Sequence, residues 1–551
     1  MLSETVKIKV NGKEMELHSG TTLLELSKML PKGKRAPVIA RVGNTYRELT
    51  EEIYDGEELE FIDLTDSTGN KVYLNGLIIL INYVFDQLYK GKNICKVKHS
   101  ADSGLCFETS HKITKDDVKI IEEEMRKTVE LNLPITKITV LKHEAIDYFK
   151  KMNDEKKVSL LEYYPNTYVH LYKIGNMYHQ RFTKMPAETS VLDEFKLTYL
   201  DDDEFILQYP TVYINDRIKE YKHHEKLFEV FRQEKEWAKM MKVETCADLN
   251  RVVSNGKIND LIRMSETLSN NRLLEIAKTI EKKSSELKVV LLSGPSSSGK
   301  TTTCCKLAMY LRSLGLTPKM ISMDDFFKER VDTPKKPNGE YDFECLEAVD
   351  LKLFNDTIKG LLDGKEVLMP TFDFYVGEKK FKKKMILEKT DVLLIEGIHA
   401  LNPKLLTNVD SSRKFKIYLS PLTGVNVDKD NRVSTTDNRL MRRMIRDART
   451  RGYSVSDTLS SWKNVREGEE KNIFPYQDEA DVVFNTSLVY EMCILKTYVL
   501  PLLFAVTPDD ENYGEANRLM KLLNLFLPIP SEAIPDDSIV REFIGGGCFL
   551  E

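Results

Sequence analysis

The sequence predicts an α/β protein: a C-terminal region built on a mostly parallel sheet, preceded by a small β-grasp unit and a mixed α+β unit. Three observations predict it. Short apolar runs of strand length, Val289 to Leu292 and the run within Asp391 to Glu396, recur among helical stretches in the C-terminal half, as buried parallel strands do. At the other end Val6, Ile8 and Val10 alternate, Asn11-Gly12 supplies a hairpin turn, and Met15 and Leu17 resume the alternation. The length of 551 residues, 41% of them apolar, suits about three domains with ample core.

Composition excludes some roles. A net charge of −5 argues against a dominant nucleic-acid-binding function. The eight cysteines include no C-x-x-C pair, so free thiols in a reducing compartment are expected, without a disulfide framework or zinc site. Cys304 and Cys305 read as small residues on a helix face. The start MLSETVKIKV lacks the apolar core of a signal peptide. The most apolar stretch, Leu77 to Val84, is too short to span a bilayer. A cytoplasmic protein with no membrane contact is expected.

Residues 1–64 form the β-grasp unit. Thr22 and Glu25 make a capping box before the helix Leu23 to Leu30, and Val38 to Val42 and Leu59 to Ile62 are further strands. Residues 65–210 alternate helices (Leu77 to Tyr89, Asp116 to Leu131, Glu144 to Met152) with strands (Tyr168 to Tyr172, Phe205 to Tyr209). Residues 211–285 are charged and helical in pattern, at His223 to Met241 and Leu261 to Lys283, and read as a connector with solvated faces. Residues 286–551 carry the chemistry.

There the strand Val289 to Leu292 runs into Gly294-Pro-Ser-Ser-Ser-Gly299-Lys300-Thr301, which fits G-x-x-x-x-G-K-[ST], and then into a helical stretch. Strand, loop and helix in that order make a phosphate-binding P-loop. Gly294, Ser296, Ser297, Ser298, Gly299, Lys300, Thr301 and Thr302 would bind the nucleotide, because glycines let successive N–H groups curl around a phosphate at a helix N-terminus. Lys300 would reach the β and γ phosphates, and Thr301 would ligate Mg²⁺. A second strand, Lys319 to Met323, ends at Asp324, at the sheet end where α/β folds bind ligands. An Asp there can take the proton of an attacking hydroxyl. Asp325 reads as a cap or surface charge. Asp350 caps a helix from Leu351 to Leu362. Phe372, Asp373, Phe374 and Tyr375 form an aromatic cluster able to stack a flat base, and Lys379 to Lys384 read as a solvated loop. Glu396 closes the strand of Asp391 to Glu396 at a metal-holding position. Arg439, Arg443 and Arg446 share a helix face, a repulsive arrangement unless an anion lies there. That suits a lid over a transferring phosphoryl group. The tail, with Ile544-Gly-Gly-Gly547, carries no recognisable chemistry.

Two resemblances follow. Residues 1–64 are similar to the TGS domain of threonyl-tRNA synthetases. Residues 65–210 resemble their editing domain, chiefly in HEAIDYFKKMNDEKKVSLLEYYPNTYVHLYKIGNMYHQRF. Tyr73 to Ile79 and Arg181 to Met185 fall where that family has its H-x-x-x-H and C-x-x-x-H pairs, and neither has a ligand. This implies an editing-like fold without editing chemistry. From about 287 to 485, the order of P-loop, D-x-F-[FY], aromatic-Asp, strand ending in Glu-Gly and R-R-x-x-R-D resembles the uridine kinase and phosphoribulokinase family. The resemblance implies a P-loop kinase using ATP (or GTP) and Mg²⁺ on a nucleoside, with Lys300, Asp324, Arg443 and Arg446 catalytic and Asp324 as the base. Asp342 would bind ribose hydroxyls, Phe372 would stack on the base, Arg443 and Arg446 would also meet substrate, and Arg451 would meet nucleotide. Thr301 and Glu396 would hold the metal. It also admits homo-oligomers, and the N-terminal units admit a weak RNA contact. Val376-Gly377-Glu378 replaces the pyrimidine-reading histidine of uridine kinases, Tyr453 a lid arginine and Ser461 a base-reading glutamine. Two alternatives therefore stay open: a kinase for another small alcohol, such as a sugar phosphate or pantothenate-like acceptor, and a nucleotide-gated RNA- or ribosome-binding protein.

Overall fold

A computed structural model describes residues 5–31, 33–101, 104–212, 217–336, 339–373 and 376–549. Phe374 and Tyr375, two of the three rings of the expected aromatic cluster, lie outside the described residues. Near the N-terminus, Thr5–Val10 pairs antiparallel with Lys13–His18 and parallel with Glu58–Ile62, and Ile39–Val42 and Thr45–Arg47 complete a five-stranded sheet. The helix Leu23–Met29 packs on it, started by the Thr22–Glu25 capping box.

In the next unit a four-stranded and a three-stranded sheet pack around the helix Ser67–Tyr89. That helix begins ten residues before the apolar run that marks it, because the Asp66 side chain accepts from the amides of Thr68 and Gly69 and caps it. At 23 residues the whole helix is, by length and composition alone, long and apolar enough to cross a membrane, but 56% of its most apolar window is buried inside the fold. In this fold Tyr73, Leu77 and Leu80 on one face and Ile79 on another are buried in two clusters.

The charged segment is more than a connector. It forms three helices, Glu225–Met241, Cys246–Ser254 and Ile258–Lys282, the second of which the charge pattern hid. Leu273, Ile276 and Ile280 share a core with Val290 and Leu292, while Leu227 and Val230 join Val289 and Leu291 on the other side of the sheet. That sheet is parallel throughout, in the order Thr317–Ser322, Asp391–Glu396, Val289–Ser293, Lys414–Ser420, Val482–Asn485. The Lys379 to Lys384 run is also not a loop. It lies in Glu378–Met385, a strand paired antiparallel with Val367–Asp373, and its register shifts at Pro370, where no ladder donor exists. Lys379, Lys380 and Lys384 pair with Asp350, Asp373 and Glu366.

The two halves meet along a polar seam. The segment Asp428 to Asn431 leads toward the helix Thr435–Thr450 and projects into the editing-like unit. Asp430 takes hydrogen bonds from Asn82 (2.9 Å) and the Lys157 ammonium, and its carbonyl takes one from Arg181. Arg181 also donates to Asn75 Oδ1 (2.6 Å), whose amide donates to Thr183 (2.7 Å). The two stretches aligned with metal-ligand pairs thus do meet, through an amide, a hydroxyl and a guanidinium.

Candidate active site

The buried strand Val289–Ser293 delivers the chain to a loop whose backbone only certain residues permit. Gly299 sits at φ +81°, and a Cβ on Gly294 would fall 2.3 Å from the Leu419 carbonyl. The helix Lys300–Ser313 then starts with its N-terminal amides at the loop. The Ser297, Ser298 and Thr302 hydroxyls are buried and have no hydrogen-bond partner among the described residues. Lys300 Nζ folds back onto the carbonyls of Gly294 (3.0 Å) and Pro295 (3.1 Å). Burial depresses its pKa, against the charges of Glu396 and Asp324. Orphaned hydroxyls, a helix N-terminus and a desolvated ammonium together fit a phosphate chain.

Two carboxylates at adjacent strand ends, Asp324 and Glu396, lie near enough to Lys300 for their charges to act on it. Asp324 is exposed, in a single 3₁₀ turn, Met323–Phe326, after the strand Thr317–Ser322. Glu396 accepts from Ser322 Oγ at 2.7 Å. Burial, and then the Asp324 charge, push the Glu396 carboxyl up to about 7. Asp325 is no free surface charge: its Oδ1 accepts from the Phe372 amide at 3.2 Å, tying the hairpin to the strand end. Among the described residues no cluster of three His, Cys, Asp or Glu is placed to hold a metal.

The arginine helix Thr435–Thr450 divides by face. Arg439 and Arg442 are buried and structural: Arg439 Nε donates to the Ser296 carbonyl at 2.9 Å and its head pairs with Glu469, while Arg442 pairs with Glu491. Arg439 therefore leaves the row expected to form the lid. Arg443 donates to Ser296 Oγ at 2.8 Å. Arg443, Arg446 and Arg451 converge on one carboxylate, Asp447, at 3.2, 3.0 and 3.6 Å. This is three cations for one anion, beside the loop.

On the acceptor side, Asp342 accepts from the Glu344 amide at 3.2 Å. Phe372 is only 8% exposed and packs edge-on to Phe327, with ring centroids 6.1 Å apart. Among the described residues the exposed rings here are Tyr341, noted in the sequence beside Asp342, and Phe343, to which sequence reading gave no role. Glu469, read from the sequence only as one of the acids of Glu467 to Glu470 that could pair with the arginine helix, does pair with Arg439, and its Oε1 also takes the Ser296 amide at 3.0 Å. Burial opposes the Glu469 charge, yet Arg439 and Arg466 hold its carboxyl below the usual range.

Sequence reading missed Glu344. Its backbone carbonyl accepts from Asn472 (3.0 Å), and burial, then Glu469, push its carboxyl up to about 7 from 4.5. A carboxyl raised on folding loses stability as pH climbs from about 4.5 to 7. Glu344→Gln should therefore melt above the parent at pH 8 and level with it at pH 5. Thermal melts at the two pH values check this, and equal melting at both would refute it.

Residues 289–491 match the model of the Phosphoribulokinase / Uridine kinase family. A uridine kinase of Staphylococcus haemolyticus is 28% identical over 196 residues, 35% of this chain and 86% of that one. In the N-terminal region, a threonine–tRNA ligase of Finegoldia magna is 30% identical over 175 residues, 31% of this chain. The match spans only 27% of the ligase's length. A solved structure titled "Possible Uridine Kinase", from Bacillus stearothermophilus, is 21% identical, with a TM-score of 0.28, and the match covers 39% of this chain and 98% of that one.

Proposed function

We propose, from the phosphoribulokinase / uridine kinase family domain at residues 289–491 and the pocket it forms, that the unit 286–551 transfers the γ-phosphoryl of ATP to the 5′-hydroxyl of a nucleoside. The observation that carries this reading is that the Asp324 and Glu396 carboxylates lie near enough to the Lys300 ammonium for their charges to act on it, beside a loop whose buried hydroxyls have no partner among the described residues. Asp324 takes the proton of the acceptor hydroxyl. The freed oxygen bonds the γ-phosphorus, the bond to the bridging oxygen breaks, and ADP leaves. Lys300, Arg443 and Arg446 carry the charge of the moving group, and Asp447 holds the arginines meanwhile. The Thr301 hydroxyl and Glu396 carboxylate are the groups offered to Mg²⁺, which when bound offsets charge on the phosphates.

Acceptor identity is decided by a panel. The full chain with Mg-ATP or Mg-GTP is expected to phosphorylate a nucleoside carrying free ribose hydroxyls for Asp342. Failure on every nucleoside and small alcohol would end the kinase reading. The burial of Phe372 favours a second reading, another small alcohol as acceptor, since a ring already packed on Phe327 is poorly placed to stack on a base. The proposal places the protein in the cytoplasm. RNA that co-purifies only when residues 1–210 are present would favour the third, RNA-binding reading.

A further inference from the structure

The C-terminal residues that sequence reading left without a role lie on the phosphate loop. Ile539 packs on it: a Cβ on Gly299 would meet Ile539 Cγ2 at 2.7 Å. Three residues on, the Glu542 carboxylate, itself buried, accepts from the Thr302 amide at 3.1 Å. Thr302 N is the third amide of the P-loop helix, one of those left unsatisfied at a helix start and the kind a phosphate oxygen takes. The Thr302 hydroxyl beside it has no partner among the described residues. At the other end of the loop the Ser296 amide is taken by Glu469. A carboxylate thus occupies each end of the cradle, and the two differ in how they are held. Glu469 is locked between Arg439 and Arg466. For the Glu542 side chain, the structure shows no ion pair among the described residues.

The segment behind Glu542 is a small knot. Arg541 donates to the carbonyls of Ser531 (2.8 Å), Ile534 (2.7 Å) and Gly545 (3.2 Å). Arg449, on the arginine helix, donates to the carbonyls of Glu542 and Phe543, both at 3.1 Å. The Arg442 guanidinium lies 4.8 Å from the centre of the Phe543 ring. The knot therefore touches the loop on one side and the arginine helix on the other.

We propose that residues 535–549 are an internal gate, with the Glu542 carboxylate standing in the cradle as a resident anion that an incoming triphosphate must expel. The gate rests on the nucleotide reading above. Two anions cannot share the Thr302 amide, so nucleotide and Glu542 compete. Because Arg449 grips the gate from the arginine helix, moving the gate also strains the two bonds that tie it to that helix.

The test is ATP affinity of the full chain, measured by calorimetry without Mg²⁺. Glu542→Gln keeps the size of the side chain and removes its charge, and should tighten ATP binding roughly two- to thirtyfold, the range of an anion's worth at a helix start. Arg449→Ala removes two gate bonds without touching the cradle, and should tighten binding in the same direction. It decides the matter should the first variant fail to fold. Unchanged or weaker ATP binding by a folded Glu542→Gln protein overturns the gate while leaving the nucleotide reading intact. Binding by neither parent nor variants overturns both.

Discussion

Asp324→Asn is expected to lower turnover by roughly 10²- to 10⁴-fold while ATP still binds with parental affinity. The amide matches the carboxylate in size and cannot take a proton, so the acceptor hydroxyl must lose its proton to water. ATP affinity should persist because the groups that fit the phosphates, Lys300 and the loop hydroxyls, are untouched. A second signature separates this from a merely structural loss. The Asp324 charge helps hold the Glu396 carboxyl up at about 7, behind burial as the larger cause. Its removal lets Glu396 ionise at lower pH, so the acid limb of residual activity should move down. Turnover within a few-fold of the parent would place the base elsewhere.

Asp430→Ala should destabilise the whole chain by about 3–5 kcal/mol, the cost of stripping one partner from a buried ion pair. Asp430 and Lys157 are each about 1% exposed. Burial works against the Asp430 charge, yet Lys157, Lys429 and His179 hold its carboxyl well below the usual range. Without it Lys157 keeps the charges of Asp428 and Asp154 but loses its hydrogen-bonded partner, and Asn82 loses its acceptor. Urea unfolding measures the loss as a lower midpoint at unchanged slope. A shift under about 1 kcal/mol would mean the seam does not bind the halves.

The parts of the fold set by local pattern were legible. The hairpin at Asn11-Gly12, the Thr22–Glu25 capping box, the P-loop and the apolar strands of the parallel sheet all announce themselves within a few residues. Asp350 likewise caps Leu351–Leu362, accepting from Leu353 at 3.0 Å. What stayed hidden depends on distant partners. Nothing near Glu469 or Glu542 says that 173 and 240 residues upstream an amide awaits each. Arg439 and Arg443 look alike in sequence, and only the positions of Glu469 and Trp462 make the first structural. The charged helices of 225–282 read as solvated because their lysines and glutamates outnumber the apolar residues that join the sheet's core.

The seam also sets a timetable for synthesis. Arg181 finds its acceptor on a residue 249 positions later, and Lys157 on one 273 positions later. At 5–20 residues per second a ribosome needs roughly 12–50 s to make the shorter of those stretches. Throughout that interval the nascent amino-terminal half holds both cations without their acceptor. Its final burial must wait for the rest of the polypeptide to emerge, so maturation of this chain is ordered, with the earlier-made half completed last.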